Sequence, residues 1–226
     1  MDDPPSPRSG NEPRMKRPTP TRIFHITDVD NLGRILSDGG LHWKQALDTQ
    51  AVPYINIAYE TVQDRRAGTR VTCGAGGTLH DCVPFYFAPR SPMLYAINKG
   101  NVLGYTRGQR TVVYLVSTVE AVVAAKLAWV FTNGHGIMAL TDFFDDLADL
   151  GRLDWNIMRE QYWADTQSDG DRKRRRQAEF LVQQFFPWNL VLGIGVLDDT
   201  IKKQVEAALV GSPHRPLVKI EARWYY

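Results

Sequence analysis

The chain has only two cysteines in 226 residues, Cys73 and Cys82, and no apolar run that approaches the ~20 residues needed to cross a bilayer as a helix. The first scarcity argues against a disulfide-stapled scaffold and the second against a helical membrane protein. No apolar segment of the secretory type opens the sequence, so the expected compartment is the cytoplasm, with no membrane partner. Net charge is low as well: 27 Lys and Arg against 25 Asp and Glu leave +2. A globally basic nucleic-acid binder is excluded, and any contact with a polyanion must be local. The usual nucleotide-loop signatures are missing. Gly193-Ile194-Gly195 lacks a third glycine before a helix, and Cys73-Gly74-Ala75-Gly76-Gly77 lacks the Lys-Ser/Thr pair, so neither a Rossmann nor a phosphate-loop site is expected. Cys73, His80 and Cys82 lack paired metal-ligand spacing, which argues against a metal. Nothing beside Cys82 marks it as an activated thiol.

What is present is an ordinary globular composition, 43% hydrophobic and 23% charged, enough for one well-buried core. Residues 1–20 carry Pro4, Pro5, Pro7, Pro13, Pro18 and Pro20 with little apolar material, and read as an extended or disordered leader. The domain is expected over 21–226. Residues 22–27 alternate as a strand with Ile23, His25 and Thr27 on one face, followed by a helix capped at Thr27 or Asp28 and ended by Gly39-Gly40. Residues 41–79 show weak periodicity and many glycines, and long irregular segments of this kind are more often functional than idle. Ser91-Pro92 reads as a cap and first-turn proline. Strands are expected at 83–87, 111–117, 128–131, 179–183, 190–196 and 217–224, with helices at 119–127 and 200–209 and a broken helix at 142–162. Strands and helices without regular βαβ alternation indicate an α+β fold.

The densest chemistry lies at Arg172-Lys173-Arg174-Arg175-Arg176-Gln177-Ala178-Glu179-Phe180-Leu181-Val182, where a cationic run leads into an alternating strand carrying one carboxylate. Glu179 shares a face with Leu181 and Gln183, opposite Ala178, Phe180 and Val182. A strand carboxylate needs a solvated face, a charge partner or a chemical role. His25 and Thr27 sit together at a strand end and can hydrogen-bond a ligand, although a strand histidine is more often structural. Arg65-Arg66 in the weakly periodic segment suit a phosphate or a developing anion, with an exposed loop arginine as the plainer reading.

Phe24-His25-Ile26-Thr27 with Asn31-Leu32, Gln63-Asp64-Arg65-Arg66, Gly77-Thr78-Leu79-His80-Asp81, the run from Val83 to Tyr95, and Arg174 to Val182 follow one another across residues 20–224. Together, and in this order, they resemble the DarT family of bacterial toxin DNA ADP-ribosyltransferases. The resemblance implies an ADP-ribosyltransferase (PARP-like) fold, a split central antiparallel sheet flanked by helices that grips NAD without Rossmann glycines. By matching position, it implies that His25, Thr27, Asn31, Tyr86 and Met93 hold NAD, that Glu179 is the catalytic glutamate, and that Arg65 is the catalytic arginine paired with it. The segment from Phe131 to Lys173, including His135, corresponds to the substrate-reading region. Tyr162 and Trp163 are expected to stack on a base, and Arg172, Arg174 and Arg175 to follow phosphates. The implied reaction is NAD-dependent transfer to a base of single-stranded DNA, thymidine first. Guanine, RNA or protein are alternative acceptors, and hydrolysis of NAD or a catalytically silent nucleic-acid-binding module are the competing activities. A macrodomain antitoxin of the DarG kind is the implied partner.

Overall fold

The computed structural model describes residues 16–226. Most of the leader expected over 1–20 therefore lies outside the described residues. The strands are β1 (Arg22–Asp28), β2 (Gly40–His42), β3 (Cys82–Tyr86), β4 (Val112–Thr118), β5 (Trp129–Thr132), β6 (Phe143–Phe144), β7 (Glu179–Gln183), β8 (Phe185–Pro187), β9 (Gly193–Val196) and β10 (Leu217–Ile220). The α-helices are α1 (Leu32–Ser37), α2 (Lys44–Thr49), α3 (Glu60–Gly68), α4 (Pro92–Asn98), α5 (Val119–Ala124), α6 (Trp155–Arg159), α7 (Arg172–Arg176) and α8 (Asp199–Ala208). Among the described residues no helix is long and apolar enough to cross a membrane.

Eight strands form one sheet in the order β10-β9-β4-β1-β3-β7-β5-β6, antiparallel except for the β9–β10 pair. Helices pack on both faces, so the central strands bury both of theirs. On β4, Val113 and Leu115 join the core that includes α1, α5 and α8, while Val112 and Tyr114 join a second core with α4 and Tyr225. That two-sided burial is why β4 reads as an unbroken apolar run rather than an alternation. Each fully buried aliphatic side chain contributes roughly 1.5–3 kcal/mol. Ser91 caps α4 through its hydroxyl and Pro92 opens the helix, as the sequence suggests.

The sheet is split between β1 and β3. Seven residue pairs join β1 to β4, but only Phe24 and Tyr86 are paired across to β3. Pro84 accounts for part of this divergence. Its carbonyl oxygen meets Nδ1 of His25 on β1 at 2.8 Å, and a strand residue points its N and C=O to the same side, so the N–H that proline lacks is a rung missing from this seam. A smaller sheet pairs β2 with β8, where Gly40 is required: a Cβ there would stand 2.3 Å from the Phe186 carbonyl oxygen.

Three stretches differ from expectation. The weakly periodic segment 41–79 contains β2, α2 and α3, and α3 escapes detection because its buried residue is an arginine, Arg66, rather than an apolar stripe. The expected broken helix at 142–162 is instead β6, a 3-10 turn over Leu147–Arg152 and α6. The last strand stops at Ile220 and is followed by a 3-10 turn.

Candidate active site

Glu179 opens β7, an interior strand between β3 and β5, and lies opposite Tyr86. Phe24, Tyr86 and Glu179 thus stand in a row across three strands, so the single rung of the seam is one strand away from the carboxylate. Glu179 is 2% exposed, its backbone N–H donating to Thr132 Oγ1 at 2.9 Å. A carboxylate this deep requires a partner. Nη1 of Arg66 supplies it, at 2.8 Å from Oε1 and 3.0 Å from Oε2. Burial opposes the charge on Arg66, but the adjacent Glu179 carboxylate outweighs it and keeps the guanidinium firmly protonated. The other terminal nitrogen of Arg66, Nη2, is buried and has no protein partner among the described residues.

His135 stands beside the same carboxylate, with Nε2 3.9 Å from Glu179 Oε1. Burial pulls its pKa below the ordinary value; Glu179 works against this, while Arg66, Arg65 and Lys173 reinforce it, so the ring is neutral at pH 7. The next residue, Gly136, is squeezed between Leu79 and Glu179: a Cβ would lie 3.0 Å from a Leu79 methyl and 3.3 Å from Glu179 Oε2. Cys82 is buried, and its thiol is pushed up to about 12 mainly by that burial, so it is chemically quiet.

A single cleft of about 1380 Å³ joins these groups to His25, Thr27, Asn31, Tyr86 and Met93. The space exceeds the ~300–1,000 Å³ of a typical small-molecule pocket and can take a dinucleotide together with part of an acceptor. Because the Pro84 carbonyl can only accept, His25 Nδ1 carries the proton and Nε2 keeps a lone pair; burial also lowers the pKa of this ring. Asn31 donates to Thr27 Oγ1 and to the Ile55 carbonyl and accepts from the Ile55 N–H, tying the strand end to the loop across the cleft. The Tyr86 hydroxyl donates to Met93 Sδ at 3.6 Å. His25, Thr27, Asn31, Tyr86 and Met93 thus line one cleft.

Two parts of the expected site are arranged differently. The pairing with Glu179 expected of Arg65 is made by its neighbour Arg66; Arg65 also faces the cleft, but is exposed and donates to the Ile137 carbonyl at 2.9 Å. One residue is a turn of 100° on a helix, so only one of the pair can reach the sheet. Secondly, the cationic run is α7, and Arg172 and Arg175 do not line the cleft, whereas Lys173 and Arg174 do. Their guanidiniums are committed to the protein: Arg172 donates to the Tyr162 and Ala164 carbonyls, and Arg175 pairs with Asp154, Asp169 and Asp171. Tyr162 is 77% exposed at the cleft mouth. Trp163 donates to the Tyr226 hydroxyl at 2.6 Å, and Arg90 lies 4.3 Å over the Tyr226 ring. Arg90 and Tyr226 both line the cleft without having been singled out, and no spacing pattern links residues so far apart.

The model of the family described as "ssDNA thymidine ADP-ribosyltransferase, DarT" matches residues 24–226. The chain belongs to the DarT family. A DNA ADP-ribosyl transferase of Thermus aquaticus is 44% identical to this DarT-family chain over 212 residues, which cover 92% of this chain and 90% of the relative. The solved structure of DarT from Thermus sp. 2.9 with ADP-ribosylated single-stranded DNA superposes with a TM-score of 0.88 at 42% identity, covering 94% of this chain and 100% of that one. The same protein in complex with NAD+ gives 0.84 at 39% identity, covering 93% and 100%. The split α+β sheet of this DarT-family chain is accordingly the ADP-ribosyltransferase architecture, and its chemistry is that of an NAD-dependent DNA ADP-ribosyltransferase. Among the described residues no group of three or more His, Cys, Asp or Glu is placed to hold a metal ion.

Proposed function

We propose that this chain moves ADP-ribose from NAD to a thymine base of single-stranded DNA, with Glu179 and Arg66 as its catalytic centre. The observation that carries the reading is the sealed Arg66–Glu179 pair beside a neutral His135 in a cleft that also gathers His25, Thr27, Asn31, Tyr86 and Met93. NAD supplies the scissile bond, whose electron pair leaves with nicotinamide while positive charge grows on the ribose. Glu179 stabilises that charge, which exists only near the transition state. Arg66 holds the carboxylate in one orientation through Nη1. His135 is the neutral group beside Glu179 able to accept the proton that the base nitrogen loses as its bond to the ribose forms. Arg65, permanently charged at the cleft, offsets negative charge on the deprotonating base.

Single strands present an unstacked base at small cost, whereas in a duplex the acceptor nitrogen is occupied by pairing. The relatives support the substrate: Thermus sp. 2.9 DarT has been solved with ADP-ribosylated single-stranded DNA. Within the cell we place the chain in the cytoplasm as a toxin held in check by a macrodomain antitoxin that removes the mark. Labelled NAD with defined oligonucleotides tests the activity. Wild type should label a thymine-containing strand, lose labelling when a complement is annealed, and lose it by ~10²–10³-fold in Glu179→Gln. Labelling of a thymine-free strand would favour guanine, release of free ADP-ribose alone would mean hydrolysis, and label on protein alone would remove the DNA reading. Relief of toxicity by a co-expressed macrodomain tests the partner; toxicity unaffected by it would refute that assignment.

A further inference from the structure

The cationic run at 172–176 looks in sequence like a track for phosphates, yet in the fold its arginines face inward onto one segment. That segment, residues 133–171, separates β5 from β7 and reaches the cleft. Arg172 holds the Tyr162 and Ala164 carbonyls, at 2.9 and 3.1 Å. Arg174 donates to both carboxylate oxygens of Asp171 at 2.7 Å, to Thr141 Oγ1 at 3.2 Å and to Asn133 Oδ1 at 3.4 Å. Arg175 gathers Asp154, Asp169 and Asp171. Arg176, 3% exposed, donates to the Ile157 and Pro89 carbonyls at 2.6 Å, and burial lowers its pKa to about 10. Lys173 differs from the rest: its backbone N–H donates to Asp165 and its carbonyl accepts from Gln177, but its exposed ammonium, beside the cleft, has no protein partner among the described residues.

We propose that the run is an internal brace for the acceptor-reading segment, that Arg174 is the positioning residue that sets His135 against Glu179, and that Lys173 is the run's contact to a single-strand phosphate. Arg174 holds the histidine loop from two sides. Its backbone carbonyl accepts from the His135 N–H at 3.1 Å, and its guanidinium reaches Thr141, whose hydroxyl in turn donates to the His135 carbonyl at 2.9 Å. Gly134 leaves the room this requires, since a Cβ there would stand 2.3 Å from Arg174 Nη1. A guanidinium bidentate on a carboxylate, with two more of its five donors on Thr141 and Asn133, has little left for a phosphate and releases few counterions when DNA arrives. An ammonium without a partner does both.

The inference rests on the proposed single-strand substrate, and three measurements on the full chain separate the two. The first is binding of a fluorescent thymine-containing oligonucleotide across a salt series. Lys173→Gln should flatten the slope of log K against log salt by about 0.7, the loss of one phosphate contact, whereas Arg174→Gln and Arg175→Gln should leave it unchanged. The second is turnover: Arg174→Gln should lower DNA labelling by up to about 10²-fold, the scale of a misplaced reacting group, without changing KM for NAD. Gly134→Ala should do the same with every charge kept, which covers the case in which Arg174→Gln does not fold. The third is hydrogen exchange, in which the amides of His135 and Met138 should exchange faster in both variants. Arginine variants that flatten the salt slope as much as Lys173→Gln would overturn the brace, as would unchanged exchange at those amides. A wild-type chain that labels no DNA would refute the substrate, and exchange would still decide the brace.

Discussion

Removal of Arg66 should be among the most damaging single changes in the molecule, for a reason that can be worked through in numbers. Glu179 is 2% and the Arg66 side chain 8% exposed, so truncating the arginine leaves a nearly buried carboxylate without its charge partner. His135 cannot substitute, because its nearest nitrogen is 3.9 Å away and the ring is held neutral. Breaking a buried pair from one side costs about 3–5 kcal/mol, which for a chain of this size lowers the melting temperature by roughly 6–20 °C. Arg65→Ala loses one exposed bond to the Ile137 carbonyl and should cost no more than about 0.5–1.5 kcal/mol. Denaturant unfolding of Arg66→Ala, Glu179→Leu, the double variant Arg66→Met/Glu179→Leu and Arg65→Ala tests this directly. The double variant should be more stable than Arg66→Ala, since an apolar pair of similar volume removes the stranded charge. Equal, mild losses at Arg65 and Arg66 would refute the reasoning and with it the assignment of Arg66 as the partner of Glu179.

Acid should destabilise the fold through His25 and His135, whose buried rings have pKa values below that of the unfolded chain. Above the unfolded value, ~6.5, neither state binds a proton and stability is at its full level; below it the unfolded chain protonates first, and stability falls until the folded rings protonate too. Chemical denaturation between pH 7.5 and 5 should show the decline, and His135→Gln should reduce it; a flat profile would contradict the buried neutral rings. Gly136→Ala should slow turnover, because the added carbon meets Leu79 and Glu179 at 3.0–3.3 Å and must displace one of them; wild-type kcat in this variant would show that the loop yields freely. Cys82 should resist alkylation in the folded chain, being buried with its thiol pushed up to about 12, and should react only on unfolding; fast labelling under native conditions would contradict that burial.

How legible all this is in the sequence depends on what hides each residue. β1 and α1 stand out because Ile23, Leu32 and Ile35 face apolar neighbours and Gly39 closes the helix at φ 74°. β4 stands out because both its faces are buried. The distinction between Arg65 and Arg66 is invisible for the opposite reason: α3 has no apolar stripe, so nothing in the sequence phases the helix. Only the position of β7 decides which arginine turns inward. The run at α7 misleads in a related way. Five adjacent cations are plain to read, but Asp154, Asp169 and Asp171 become counterparts of Arg174 and Arg175 only once the preceding segment folds back. The roles of Tyr226 and Arg90 depend on contacts across more than a hundred residues and leave no local trace.

The lone rung between Phe24 and Tyr86 couples catalysis to the cohesion of the fold. A sheet normally holds its halves together with a full ladder; this one leaves that work unfinished along the line where the cleft opens. Whatever occupies the cleft touches both halves and behaves as a removable fastener, so occupancy and folding are thermodynamically linked. A ligand at a hundredfold excess over its dissociation constant adds about 2.7 kcal/mol to the folded state. A ligand that bridges β1 and β3 adds contacts to a seam with one rung of its own, so the chain should unfold at higher denaturant with NAD present than without it.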